Sequence, residues 1–221
     1  MITKRNLFYS CLCLGLQVYY SVLYRWRVFG KENLPQEGGL IASNHASYYD
    51  PPFIGASAWP TEVHFLADNY LFDHYLFATL IKNLNAYPIH RSVKDTSTIK
   101  NIAQFLKDGE KILIFPEGRR AQTDKLQPFK LGLARLAIRT KCLIVPTYIR
   151  GTLDVWPASR RFPRFGQNLT CVFGKPIHVD RYLSMDKKEA FLSLTQDVYE
   201  AIENLRLWLD EHDRTKNDKR R

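Results

Sequence analysis

The sequence lacks the features that mark several common classes of protein. Its 221 residues include only four cysteines, and no two of them form a CxxC pair, so neither a disulfide framework nor a cysteine metal site is indicated. The chain also has no internal repeat and no low-complexity linker. We therefore expect one main folded unit in a reducing compartment, and no resident metal ion.

A serine hydrolase is not indicated either. The chain has no Gly-x-Ser-x-Gly elbow, the turn that exposes a catalytic serine in that class. Ser47 lies in a polar cluster, but its neighbours are typical of a turn. Cys142 and Cys171 lie in apolar, strand-like runs and are expected in the core. The sequence therefore does not predict catalysis through a covalent intermediate.

Acidic residues are scarce: 22 Asp and Glu stand against 32 Lys and Arg, which gives a formal net charge of +10. This balance predicts an anionic partner, but it does not distinguish nucleic acid, anionic lipid and phosphorylated metabolites. Residues 156–166, "WPASRRFPRFG", interleave arginines with aromatic residues, a pattern also found in nucleic-acid-binding proteins. We favour a membrane surface because of the apolar segment described next, and we expect no nucleic acid.

Residues 7–24 form a run of 18 residues without a charge, with basic residues on both sides. As a helix this run would be about 27 Å long, close to the hydrocarbon thickness of a bilayer. No small-residue cleavage site follows it, which argues against a signal peptide. We predict that residues 1–28 are a membrane-anchoring helical segment, and the pattern leaves open whether it spans the membrane or lies in its plane.

Beyond this segment, short apolar runs alternate with helix-length amphipathic segments. This alternation predicts an α/β fold with a largely buried sheet in residues 29–212, followed by a basic tail, 213–221. The predicted strands are 40–42, 63–67, 112–115, 143–149 and 169–173. The predicted helices are 51–58, 76–84, 96–107, 130–139 and 186–209.

Polar clusters directly follow two of the predicted strands. "GLIA" is followed by "SNH" with His45, and "KILIF" is followed by "PEGRR" with Glu117. Ligands bind at the carboxyl ends of strands in open α/β sheets. We therefore predict that both clusters belong to one site.

In the first cluster, Asp50 follows His45 by five residues and precedes Pro51. The Asp-Pro pair predicts a helix start with Asp50 as the N-cap. A second interpretation is that the Asp50 carboxylate orients the His45 imidazole, so that its other nitrogen can accept a proton. The two roles are compatible.

In the second cluster, Gly118 lies beside Arg119 and Arg120. Guanidinium groups bind phosphate through paired hydrogen bonds, and glycine permits close approach of the backbone. A plain solvated basic loop is the alternative interpretation of this cluster. Together with His45, however, the arginines indicate a base and an anion clamp in the same site.

The stretch from about residue 30 to residue 177 resembles the 1-acylglycerol-3-phosphate acyltransferase family of glycerolipid synthesis. Four sequence blocks carry the resemblance in order: "NHASYYD", "YPIHRS", "FPEGRR" and "IVPTYI". The phrases "GKENLP", "LQPFKLGLARLA" and "FGKPI" are also similar to family sequence. The resemblance implies a glycerolipid-acyltransferase-like α/β fold, with a mixed sheet flanked by helices.

The resemblance also implies roles for single residues. His45 would be the general base on the acceptor hydroxyl, with Asp50 as its partner. Most of the implied binding positions would hold the glycerol phosphate of the acceptor, and Pro146 would help to shape the acyl-donor site. The implied substrate-binding residues are Arg91, Glu117, Gly118, Arg119, Arg120, Lys130 and Pro146.

The implied activity is transfer of a fatty acyl group from acyl-CoA or acyl carrier protein to the free hydroxyl of 1-acyl-glycerol-3-phosphate, which makes phosphatidic acid. No metal, no other cofactor and no acyl-enzyme are implied. The expected partners are membrane lipid, a lysophosphatidic acid-like acceptor and the thioester donor. The expected location is a membrane, with the site facing the cytoplasm. Acylation of another lysophospholipid or an aminolipid precursor, or non-catalytic lipid binding, remain the alternatives.

Overall fold

The computed structural model describes residues 7–89, 96–157 and 159–218 and confirms the α/β fold, with one seven-stranded mixed sheet flanked by helices. The strands are β1 (Arg25–Phe29), β2 (Gly39–Ser43), β3 (Val63–Asp68), β4 (Ala86–Ile89), β5 (Lys111–Ile114), β6 (Leu143–Arg150) and β7 (Asn168–Phe173). The helices are α1 (Leu7–Leu23), α2 (Asp50–Ala58), α3 (Tyr75–Asn83), α4 (Thr96–Lys107), α5 (Gly132–Thr140), α6 (Thr152–Val155) and α7 (Lys187–Asp218).

The strands lie in the order β1-β7-β6-β2-β5-β3-β4. The five strands from β6 to β4 are parallel to one another, whereas β7 is antiparallel to β6 and carries β1 parallel to itself. β2 and β5 are direct neighbours, and Ala42 lies opposite Ile114 at their carboxyl ends. The loops that leave these two strands therefore start side by side.

The sheet is buried on both faces because successive residues of a strand point to opposite sides. Leu40 and Ala42 contact a core formed with α4, α5 and α7, while Ile41 between them contacts a core formed with α1 and α2. This two-sided burial explains why the central strands are continuous apolar runs and not alternating ones.

The predicted strands and helices are all present, with ends shifted by a few residues, except that α7 continues to Asp218. Two strands were not predicted, β1 and β4, and they are the two edges of the sheet. β4 contains Pro88, which an edge strand tolerates because one side of it needs no hydrogen-bond donor. The predicted boundaries of the acyltransferase domain, after residues 28 and 212, remain predictions. Strand β1 extends across the boundary at residue 28, and helix α7 extends across the boundary at residue 212.

Helix α1 is the predicted N-terminal helical segment, and one of its sides packs on the domain. The Tyr9 hydroxyl accepts a hydrogen bond from the amide of Val63 at 3.1 Å, and Gln17 Nε2 donates to the carbonyl of Ala56 at 2.8 Å. Within the described ranges, no helix combines the length and the hydropathy required to traverse a bilayer.

Candidate functional site

His45 and Asp50 are in direct contact in the loop after β2. Nδ1 of His45 lies 2.7 Å from Oδ2 of Asp50, and the carboxylate is fully buried. The same oxygen accepts hydrogen bonds from the amides of Ala46 and Ser47 at 2.7 and 2.8 Å. Because the carboxylate can only accept, it holds the proton on Nδ1, and Nε2 is left as the basic nitrogen of the neutral ring.

The predicted N-cap role of Asp50 is wrong. Helix α2 begins at Asp50 itself, Tyr49 precedes it as the cap residue, and no side chain caps the helix. As a cap, Asp50 would bind the amides of residues 52 and 53. Pro52 has no N–H to donate, and the amide of Phe53 already donates to the carbonyl of Tyr49 at 3.0 Å. The carboxylate therefore turns back to the loop amides and to His45.

The two predicted clusters meet at the backbone of His45. Its amide donates to Oε1 of Glu117 at 3.1 Å, and its carbonyl accepts from the amide of Ala121 at 2.7 Å. The imidazole stacks on the ring of Phe115, with centroids 3.9 Å apart, and remains 18% exposed. The loop after β5 thus holds the histidine from two sides while part of the ring faces solvent.

Glu117 is a buried carboxyl group, only 3% exposed. Loss of hydration raises its pKa from 4.5 to about 7, and the negative charge of Asp50 acts in the same direction. Its Oε2 is buried without a hydrogen-bond partner. Glu117 therefore changes its charge near neutral pH, next to the histidine that it holds.

The arginines of the second cluster differ in their environment. The Arg120 guanidinium lies 3.6 Å above the ring of Tyr48, and its Nη1 is buried without a hydrogen-bond partner. Arg119 is exposed. Buried donors are normally satisfied, so an unpartnered guanidinium nitrogen beside the histidine loop is suited to an anionic ligand.

Gly118 and Lys130 lie against each other. Gly118 has a φ of +68°, and a Cβ atom placed on it would come within 2.6 Å of Lys130 Nζ. The amide of Lys130 also donates to the carbonyl of Pro116 at 2.9 Å. The positive φ therefore favours glycine at this position, the Lys130 side chain crosses it, and a third cation lies beside the arginines.

Pro146 is the predicted residue that the structure places outside this cluster. Pro146 is buried in β6, paired with Ala42, and its carbonyl accepts from the amide of Gly174 at 2.7 Å. Arg91 lies outside the described residues. The predicted residues that the fold brings together are His45, Asp50, Glu117, Gly118, Arg119, Arg120 and Lys130.

A small pocket of about 20 Å³, partly open to solvent, lies beside His45. Residues 121–126 and the segment from Tyr148 to Leu153 supply most of its wall. Arg150 in this wall binds Asp210 of α7 at 2.5 Å. Pro146 is not among the residues that line this pocket.

Several residues that hold the site in place were not predicted from the sequence. Asn44 binds both backbone groups of Ile149, its Nδ2 donating at 2.9 Å and its Oδ1 accepting at 2.8 Å. This contact ties the histidine loop to β6. Asn44, Tyr48 and Phe115 all lie within the quoted blocks, yet only their contacts show what they do.

Another histidine, His64, is buried elsewhere in the sheet. Its Nε2 is 2.9 Å from Oε2 of Glu110, and burial lowers its pKa. Among the residues that the structure describes, no group of histidine, cysteine and acidic side chains is arranged to hold a metal ion.

The chain is similar to known proteins over most of its length. A family model described as Acyltransferase matches residues 25–150. The chain is 29% identical over 198 residues to the 1-acyl-sn-glycerol-3-phosphate acyltransferase of Bacillus subtilis, covering 89% of this chain and 96% of the relative. It is 26% identical over 174 residues to the protein of that name from Streptococcus pneumoniae, covering 75% and 62%. The crystal structure of PlsC, the LPA acyltransferase of Thermotoga maritima, has the same fold, with a TM-score of 0.72 at 22% identity over 90% of this chain and 79% of that one.

Proposed function

The chain belongs to the acyltransferase family, and we propose that it transfers a fatty acyl group from a thioester to the free hydroxyl of 1-acyl-glycerol-3-phosphate, forming phosphatidic acid. The observation that carries this proposal is the His45–Asp50 pair beside Arg120, whose buried Nη1 has no hydrogen-bond partner. A base for a hydroxyl and a cation for a phosphate are the two groups that this reaction needs. The names of the relatives agree with this acceptor.

In the proposed mechanism, Nε2 of His45 accepts the proton of the acceptor hydroxyl while its oxygen attacks the thioester carbonyl. The new ester C–O bond forms, the C–S bond breaks, and the proton passes from His45 to the departing thiolate. Asp50 stabilises the imidazolium that exists between these steps. General base catalysis of this kind contributes typically about 10²- to 10⁴-fold. No acyl-enzyme is involved.

The acceptor phosphate is assigned to the loop after β5. Arg120 offers an unpartnered donor, while Arg119 and Lys130 add positive charge from the exposed side. Gly118 leaves its backbone accessible for close approach, and Glu117 fixes the position of this loop against His45. Arg91 is proposed to join the same phosphate contacts.

The donor is proposed to be acyl-CoA or acyl carrier protein, with no metal or other cofactor, because a thioester is already activated for acyl transfer. Pro146 is proposed to shape the donor site from the core, as part of the strand whose end lines the pocket. Since its acceptor is a lipid, the protein is proposed to work at a membrane, facing the cytoplasm. Its four free cysteines are compatible with a reducing compartment.

An acyl-transfer assay of the purified full chain in nonionic detergent micelles tests this function. Labelled acyl-CoA and labelled acyl carrier protein are each offered with 1-acyl-glycerol-3-phosphate, with 1-acyl-glycerophosphocholine and with an aminolipid precursor, and the chain with His45→Ala is the matched control. We expect labelled phosphatidic acid from the native chain only. If product forms only with another acceptor, that acceptor is the substrate and the proposed one is wrong. Binding of lysolipid without any product would indicate a non-catalytic lipid-binding protein.

A further inference from the structure

Residues 46–49 join His45 to Asp50, and we call them the connecting turn. The Asp50 carboxylate is fully buried and contacts His45 through one oxygen. The position of the turn therefore determines how far apart the two side chains lie. Two residues of the turn carry a hydroxyl and are buried, namely Ser47 and Tyr49, at 0% and 9% exposure.

Ser47 holds the turn against the segment that follows α6. Its hydroxyl donates to the carbonyl of Trp156 at 2.6 Å and accepts from the amide of Tyr49 at 3.1 Å. The ring of Trp156 also packs edge-on against the ring of Tyr49, with centroids 5.4 Å apart. One contact of the turn is thus with a neighbouring segment of the same region of the chain that lines the pocket.

Tyr49 holds the turn against helix α1. Its hydroxyl oxygen lies 2.5 Å from that of Tyr19 in the helix and 3.5 Å from that of Tyr24, just after the helix. Burial raises the pKa of Tyr49 to about 12, so its hydroxyl keeps its proton at neutral pH. Since a phenolic hydroxyl can both donate and accept, Tyr19 and Tyr49 form a hydrogen bond with each other.

Helix α1 is a fixed partner for this bond because it also packs on α2. Gln17 Nε2 donates to the carbonyl of Ala56 at 2.8 Å, and the ring of Tyr20 packs edge-on against that of Phe53, with centroids 5.3 Å apart. Ala56 and Phe53 belong to α2, the helix that begins at Asp50. Helix α1 therefore holds both α2 and the turn that leads into it.

We infer that the hydroxyl pair of Tyr19 and Tyr49 positions the connecting turn, so that Asp50 keeps the distance to His45 at which the imidazole acts as a base. Neither tyrosine is among the residues that line the pocket beside His45, so both are positioning residues that act through Asp50. A displacement of about 1 Å at a catalytic group can cost about 100-fold in rate. This inference rests on the proposed function only in taking His45 as the proton acceptor.

The alternative is that these tyrosines only fill apolar space between α1 and α2. The edge-on contacts of the Tyr49 ring with Tyr20 and Trp156 would be the same for phenylalanine. A hydrogen bond between two hydroxyls, in contrast, fixes a direction as well as a distance. Because Tyr49 directly precedes Asp50, a change in its position reaches the carboxylate through a single peptide unit.

Removal of single hydroxyls tests the pair, with initial rates of the full chain in detergent micelles. Tyr49→Phe should lower kcat by about tenfold and leave the KM values for acceptor and donor nearly unchanged, because no substrate contact is lost. Tyr19→Phe should lower kcat by about three- to tenfold, since the hydroxyl of Tyr24 remains as a more distant partner of Tyr49. The double variant should resemble Tyr49→Phe alone, because both changes break the same bond. Effects that multiply in the double variant would overturn the inference.

Tyr20→Phe is the matched control. It removes a hydroxyl from the adjacent residue of the same helix, keeps the ring that packs on Phe53, and leaves the hydroxyl pair intact. Its kcat should be nearly that of the native chain. An equal loss of kcat in Tyr20→Phe would show that the site responds to any change in this packing, and it would overturn the inference.

The contact between His45 and Asp50 can also be measured without turnover, by nuclear magnetic resonance of the full chain with isotope-labelled histidine. The proton on Nδ1 of His45 should resonate far downfield, because it is donated to a carboxylate at 2.7 Å. Its absence in His45→Ala identifies it. The resonance should move upfield in Tyr49→Phe and in Tyr19→Phe, and it should stay in place in Tyr20→Phe.

His64 serves as an internal reference in the same spectra. Its Nε2 lies 2.9 Å from Oε2 of Glu110, away from the connecting turn, so its resonance should not move in any of these variants. Lower thermal stability with an unchanged kcat and an unchanged His45 resonance would show that the tyrosines only pack, and it would overturn the inference. If the His45 resonance moves as expected in a chain without acyl-transfer activity, the positioning is supported and the proposed function is wrong.

Discussion

The loops that follow β2 and β5 lie side by side but differ in how fully their polar groups are used. In the first loop, the side chains of Asn44, Ser47 and Asp50 each make two or more hydrogen bonds to the protein. In the second, Oε2 of Glu117 and Nη1 of Arg120 are buried without partners. Both loops contact His45. The first leaves one buried acceptor without a partner, Oδ1 of Asp50, whereas the second leaves a cationic donor open, Nη1 of Arg120, in addition to Oε2 of Glu117.

This difference indicates that the two loops have different roles in the proposed reaction. A proton acceptor needs a fixed position and a fixed tautomer, and the first loop provides both before any substrate binds. An anion site needs donors that are free until the ligand arrives, and the second loop leaves such a donor open. The comparison predicts that changes in the first loop reduce kcat and that changes in the second reduce acceptor binding.

The largest expected effect belongs to Asp50→Asn. In this variant the side-chain amide oxygen of asparagine can replace Oδ2 as the hydrogen-bond acceptor. The side-chain amide nitrogen can replace Oδ1, which has no hydrogen-bond partner. The loop geometry should survive while the negative charge that stabilises the imidazolium is lost. We expect kcat to fall by about 10²- to 10⁴-fold, with a thermal unfolding curve near that of the native chain. Loss of the fold would instead show that Asp50 is chiefly structural.

Arg120→Gln tests the prediction that the second loop, which follows β5, binds the acceptor. Loss of charge-assisted hydrogen bonds to a phosphate should raise the acceptor KM by about 10- to 100-fold, with kcat and the donor KM nearly unchanged. Initial rates at varied acceptor and donor concentrations measure this. A change confined to the donor KM would place the phosphate of the acceptor elsewhere.

The pKa of Glu117 predicts how stability depends on pH. Its folded-state pKa of about 7 exceeds the ordinary value of 4.5 for a glutamate, so the native state binds more protons than the unfolded state between these values. Stability should therefore fall as pH rises through this window. Relative to Glu117→Gln, the native chain should lose on the order of 1–3 kcal/mol of unfolding free energy, as measured by denaturant titration at several pH values. A difference that does not vary with pH would contradict the shifted pKa.

The smallest effect is expected for Arg119→Gln, the neighbour of Arg120. Arg119 is exposed, and exposed charge contacts contribute little because water screens them. The KM of the Arg119→Gln variant for the acceptor should rise by about threefold at most. Since both variants remove one arginine from the same loop, they serve as controls for each other. Equal increases would mean that burial does not distinguish the two guanidinium groups.

The elements that could be predicted from the sequence are those with a strong local pattern. β2, β5 and β6 are buried on both faces, so their apolar runs are unambiguous. β1 and β4 were missed because edge strands need fewer apolar residues, and "RWRVF" and "AYPI" contain arginines or proline. The sequence patterns also indicated His45, Asp50, Glu117 and Arg120 as residues of one site, because the chain places them directly after strands that could be recognised.

Sequence alone determined the fold class, the central strands and the identity of the polar clusters, because periodicity and local composition encode them. Only the tertiary structure decided what these clusters contact. Of the two roles predicted for Asp50 it kept the contact with His45 and rejected the cap of α2, and it brought Lys130 across Gly118 and kept Pro146 in the core. These contacts depend on the order of strands in the sheet and on which side of α1 is buried. Both are set by packing between segments far apart in the chain, which no local pattern records.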